Sequence, residues 1–203
     1  MKKPAFAPLV RPAWPALAGL AVAGCLALFS LPAEAQSGAA ACANADDGFA
    51  RKAEDLIMAG VAAERKQAIP GGSSFLSHSE LTRIARERSC DMALGLAPFS
   101  HTDAQGRVIA VKMIAARYHR YGVIGENIMR MGGAWDLIGV RPFGPEEFAR
   151  ATVKAWMESP EHRANILNRD FEASGVGVAK LNGEAVATEV FYGAGRTRGG
   201  LGE

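Results

Sequence analysis

Four short stretches hold the side chains able to do chemistry. They are Phe99-Ser100-His101-Thr102-Asp103, Gly125-Glu126-Asn127-Ile128, the run from Trp156 through Glu158, Ser159, Pro160 and His162 to Leu167, and the small-residue run Gly175-Val176-Gly177-Val178-Ala179. Imidazole nitrogen and carboxylate oxygen both suit zinc, and three protein ligands with one open position make a catalytic-type metal site. His101, Glu126 and His162 are of these types, but they stand far apart in the chain, and spacing alone does not bring them together. A polar strut is the competing role: a histidine near a helix start can simply hydrogen-bond across a cleft and hold loops together. Ser100 beside His101 has the types of a nucleophile and its base. Adjacent residues rarely point at each other, however, and no third member of a triad is identifiable.

The elements that must carry these residues follow from periodicity. Phe49, Ala53, Leu56, Ile57 and Gly60 recur at helical spacing, and 70–74 is a Pro/Gly/Ser loop. A second helix places Leu81, Ile84, Ala85 and Met92 on one face, with Ser79 in the N-cap position, and Pro98 ends that element. A third is read over 108–121 with Gly122 as its stop, and 123–129 is strand-like. Residues 146–157 form a helix with Phe148, Ala151, Ala155 and Trp156 on one side. Ser159-Pro160 then opens another, with Ser as cap and Pro at the first helical position. His162 therefore sits near a helix start, where the positive end of the dipole disfavours imidazolium and leaves the neutral form that binds metal. Two alternating segments, 175–179 and 184–192, flank Asn182-Gly183, a hairpin turn signal. Helices followed by a late antiparallel hairpin give an α+β fold with a sheet covered by helices.

The ends set the compartment. Lys2, Lys3 and Arg11 precede an uncharged apolar run over 16–31, and Pro32-Ala33-Glu34-Ala35 supplies a small-residue cleavage site. Residues 1–35 are therefore read as a secretory signal peptide, 36–48 as a short leader, 49–194 as the domain and 195–203 as a flexible tail. Val22-Ala23-Gly24-Cys25 also matches a lipobox, which would anchor the protein as a lipoprotein through Cys25, although Leu26 to Leu31 stay apolar where such proteins turn polar. The signal removes three of the chain's 23 basic residues and one of its 21 acidic residues, so the remainder is neutral and carries no basic stripe for nucleic acid. No transmembrane helix remains after it. Cys42 and Cys90 are the two cysteines left; in an oxidising compartment an even pair favours a disulfide, the alternative being two buried thiols.

The four stretches, in this order and behind a secretory signal, closely resemble the bacterial branch of the CAP (SCP-like) superfamily. Its members include cysteine-rich secretory proteins, wasp antigen 5 and plant pathogenesis-related proteins. The likeness runs over about 50–193. It implies a three-layer α-β-α sandwich around a short antiparallel sheet, and a central cleft where two His and two Glu can hold a divalent metal, often zinc. Carried over, His101 is the first histidine, Glu126 the Gly-Glu-Asn glutamate and His162 the second histidine. The fourth position departs from the eukaryotic pattern, since 156–162 is compact; Glu158 is the nearest acidic residue. Asn127, Arg163 and Asn165 read as structural polar contacts and Trp156 as core. His78 and His119 fall outside the motifs. The segment 131–145 is rich in Gly and Pro yet holds Trp135 and Phe143, which either pack on the core or wall a crevice for a lipid-like or aromatic ligand.

Three function classes follow. The first is a periplasmic or extracellular binding module for a small apolar ligand, a metal or an envelope component. The second is a metal-assisted hydrolase with Glu126 or Glu158 as base. The third is a structural envelope protein. Catalysis is not uniform in the family, so the resemblance leaves it open.

Overall fold

The computed structural model describes residues 42, 47–71, 74–115, 122–132 and 143–194. The signal peptide, most of the leader and the tail read from the sequence lie outside those residues, as do Trp135 and His119. The chain order is helix α1 (Asp47–Ala68), strand β1 (Leu76–Ser77), α2 (Ser79–Ala93), α3 (Ile109–Ala115), β2 (Val123–Gly132), α4 (Pro145–Glu158), α5 (Pro160–Leu167), β3 (Ala173–Leu181) and β4 (Glu184–Gly193). The helices begin near their sequence signals, but not always with the expected chemistry, and the expected end of the third, over 116–121, lies outside the described residues. His78, not Ser79, occupies the N-cap of α2, and neither it nor Ser159 ahead of α5 makes a side-chain cap bond. Pro160 takes the first turn of α5 as expected.

The four strands run in the order β1-β3-β4-β2. β3 and β2 both pair antiparallel with β4, but β1 pairs parallel with β3, Leu76 opposite Ala173. The sheet is therefore mixed, which corrects the purely antiparallel sheet expected above. The cause is a two-residue strand lying between the 70–74 loop and α2, too short to show alternation in sequence. Asn182 and Gly183 turn the β3–β4 hairpin with φ of 50° and 80°, the left-handed pair a tight hairpin requires.

Alternation sorts the sheet into two buried faces. Val176, Val178, Ala187 and Phe191 face α1 and α4, against Phe49, Ile57, Phe148 and Trp156. Ala173 and Val190 face α2 and α3, against Leu81, Ile84, Ala85 and Ile114. That is the α-β-α sandwich. The Gly175-Val176-Gly177-Val178 run has a direct packing reason: a Cβ on Gly175 or Gly177 would lie 2.1 Å from the backbone nitrogen of Thr82 or Arg86. The helix backbone thus rides on the glycines while the valines fill the opposite core. Phe143 is also core, with its ring centroid 6.0 Å from Phe49 and 5.9 Å from Phe148; this favours packing over a crevice wall at that residue. Cys42 and Cys90 form a disulfide, Cα to Cα 5.9 Å, which ties the chain ahead of α1 to the end of α2.

Candidate functional site

The site lies where α2, the loop before α3, the start of β2 and the start of α5 meet. The loop is built around Asp103, which accepts backbone N–H groups of Gln105 (3.0 Å) and Arg107 (2.9 Å) and the side chains of Arg107 and Lys112. The Arg107 amide does most to hold the Asp103 carboxyl well below the usual range, with the neighbouring cations adding to it. The N–H of Ile109 donates to the carbonyl of His101 at 3.0 Å. Local bonding therefore fixes the segment that presents His101.

His101 is aimed by Glu126. Its Nδ1 lies 2.8 Å from Oε2 of Glu126, whose other oxygen accepts Nε–H of Arg88 at 3.1 Å. Arg88 and Glu126 side chains are 1% and 2% exposed, whereas His101 is 42% exposed. This difference makes the carboxylate a buried support and the imidazole the group offered to solvent. Arg88 also donates through Nη2 to the carbonyl of Ser100. One buried guanidinium thus holds both the carboxylate that orients His101 and the backbone just before it. Because a carboxylate only accepts hydrogen bonds, the contact makes Nδ1 the donor, so that in the neutral ring the free lone pair is that of Nε2.

His162 faces His101 across that cleft, with ring centroids 5.8 Å apart. Two side-chain amides hold its helix to β2, and an indole ties α4 to the same strand. Asn127 donates to the carbonyl of His162 (3.1 Å), Asn165 to the carbonyl of Glu126 (3.2 Å) and to Oδ1 of Asn127 (2.9 Å), and the Trp156 indole to the carbonyl of Ile128 (3.0 Å). These are the structural roles read for Asn127, Asn165 and Trp156. Burial lowers the pKa of His162 most and the nearby His101 lowers it further, against an upward pull from Glu161. The cleft holds about 250 Å³ and is lined by His101, Glu126, Glu161 and His162, with Val108 and Ile124 as its apolar wall.

Glu158 is elsewhere. Its side chain is 64% exposed, pairs with Lys154 at 2.7 Å, and borders a separate groove between α1 and α4. The acidic residue at the cleft mouth is Glu161, three positions on, past the Ser159-Pro160 corner. Sequence reasoning misses Arg88. A signal exists, because residue 88 falls within the buried stripe of Leu81, Ile84, Ala85 and Met92.

The donor set bears on a metal. Among the described residues no group of three or more His, Cys, Asp and Glu could hold an ion. Both oxygens of Glu126 are occupied, so it fits as the outer partner of a ligating imidazole rather than as a ligand. What remains is an imidazole pair, which fits an ion whose other positions are filled by water or by a bound molecule; it does not fit a closed structural site.

Residues 76–192 match the CAP family, the cysteine-rich secretory protein family. No curated protein sequence matches the chain. Among solved structures, an outer surface protein from Borrelia burgdorferi is similar at 16% identity and a TM-score of 0.55, covering 70% of this chain and 92% of that one. An extracellular protein containing an SCP domain from Bacillus anthracis is similar at 20% identity and a TM-score of 0.47, covering 72% of this chain and 41% of that one. No helix among the described residues is long and apolar enough to cross a membrane.

Proposed function

As this chain belongs to the CAP family, we propose that it is an exported binding module whose cleft holds a divalent ion between His101 and His162. The observation that carries this reading is the Arg88–Glu126–His101 chain, which orients one imidazole opposite a second whose pKa burial lowers. Neutral imidazole is the ligating form. Glu126 holds the ring, and an ion bound there would supply Lewis acidity to a molecule filling its open positions. A polar mouth beside the apolar wall of Val108 and Ile124 suits an amphiphilic ligand. Export rests on the signal-like start at 1–35, leading to the periplasm or the extracellular space, and the Cys42–Cys90 disulfide agrees with an oxidising compartment. A metal-assisted hydrolase finds less support, because Glu158 is remote from the cleft and Glu126 is buried with both oxygens engaged by Arg88 and His101.

Calorimetric titration of zinc into the purified protein tests the ion site. The expected result is one equivalent bound, with affinity falling at least about tenfold in both His101→Ala and His162→Ala. Zinc binding unchanged in either variant would refute the shared site.

A further inference from the structure

Among the described residues, the outer edge of β2 is only partly covered. In its pairing with β4, Gly125, Asn127 and Met129 stand opposite Phe191, Glu189 and Ala187, while Ile124, Glu126 and Ile128 alternate with them. The carbonyl of Tyr192 accepts the N–H of Glu172 on the β3 side. Tyr192 and every second residue from it therefore bond toward β3, and Phe191, Glu189 and Ala187 bond toward β2. The backbone N–H and C=O groups of Ile124, Glu126 and Ile128 consequently point outward. Two of these carbonyls are taken, Glu126 by Asn165 and Ile128 by Trp156. No described residue bonds the N–H or C=O of Ile124, and Ile124 lines the histidine cleft.

We propose that this edge takes an extended peptide as an added strand, paired to Ile124, with apolar side chains on the Val108 side and basic side chains on the Glu161 side. The inference rests on the cleft being the binding site proposed above and names its occupant. An edge N–H and C=O one residue apart from covered neighbours is the pattern that a strand backbone completes. The pleat assigns the side chains. A peptide residue opposite Ile124 shares its face, where Val108 is 43% exposed. The residues flanking it point to the other face, toward α5 and Glu161, an exposed carboxylate with no ion-pair partner among the described residues.

Amide hydrogen exchange followed by NMR tests this, using the blocked hexapeptide Ac-Val-Lys-Val-Lys-Val-Lys-NH2 and its counterpart with Glu in place of Lys. The basic peptide is expected to slow exchange at Ile124 at least about tenfold and to bind more tightly than the acidic one. Proline is tolerated at an outward edge position, so Ile124→Pro removes the donor without an internal bond. It should weaken the basic peptide at least about tenfold relative to Ile124→Ala, which loses the same side chain but keeps the N–H. Equal binding by the two variants, or no slowing at Ile124, would overturn the proposal. So would an Ile124 amide already protected in the free protein, or protection that rises with protein concentration alone, which would assign the edge to a second copy. Zinc bound without peptide would remove this inference and leave the ion site standing; peptide bound without zinc would do the reverse.

Discussion

Glu126 and Glu189 stand on paired strands, β2 and β4, and both are buried, at 6% and 0% exposure. Their surroundings differ. Glu126 faces α2, where Arg88 and His101 bond its two oxygens. Glu189 shares the face of Ala187 and Phe191, toward α1, and among the described residues neither of its oxygens has a hydrogen-bond partner. Ser174 is close, but its hydroxyl contacts Sδ of Met58 at 3.7 Å, and the guanidinium of Arg65 donates to the carbonyls of Ile166 and Asn168. Burial pushes the Glu189 carboxyl up to about 8, against smaller downward pulls from Ser174 and Arg65. One face of the sheet thus contains a charged relay that ends at solvent, and the other contains a neutral acid sealed in the core. Burial alone does not make a carboxylate functional; a built set of donors leading to an open cleft does.

The comparison can be broken most severely at Arg88. Arg88→Met leaves Glu126 buried without its cation and should cost about 3–5 kcal/mol in urea unfolding at neutral pH. A loss below about 1 kcal/mol would show that the pair is not the support described here.

Glu189→Gln probes the other face through pH. The folded-state value, about 8, lies above the ordinary 4.5, so the native state binds the proton more tightly than the unfolded chain. Its contribution is intact below about pH 4.5, declines as pH rises, and is lost by about pH 8. The Gln variant should lack that slope. It should match the parent in acid and exceed it by a few kcal/mol near pH 9, because each pH step between the two values adds about 1.4 kcal/mol. Parallel stability curves for the two proteins across this range would contradict the neutral-acid reading.

The smallest effect belongs to Glu158, which is exposed and pairs with Lys154. Glu158→Gln should change stability by less than about 0.5 kcal/mol and leave zinc affinity unaltered. A fall in zinc affinity would return Glu158 to the cleft.

These contrasts also show what the sequence could reveal. The hairpin at Asn182-Gly183 and the helix start at Pro160 each have local chemistry that acts without tertiary help, and the cysteine pair is legible from its even count in an oxidising compartment. The motif stretches led to His101, Glu126 and His162, and the fold brings those three to one cleft. Arg88 was hidden because Arg86, Glu87 and Arg88 read together as a solvated charge run, although residue 88 lies on the apolar stripe. Glu189 was hidden for the opposite reason. A polar residue alternating with apolar ones in a strand reads as solvent-facing, whereas helices cover both faces of this sheet. β1 was too short for any period to appear. That Glu161 rather than Glu158, the residue read from sequence, borders the cleft turns on a helix corner, where the direction of each side chain depends on tertiary packing rather than on spacing.

The central claim is that Glu126, held by Arg88, fixes the His101 ring opposite His162 with Nδ1 as the donor. Long-range nitrogen–proton NMR of the imidazole side chains above neutral pH reads this directly. The account predicts His101 as the tautomer protonated at Nδ1, with the Nε2 signal that of an unprotonated nitrogen. A His101 protonated at Nε2, or an even mixture of the two tautomers, would contradict it.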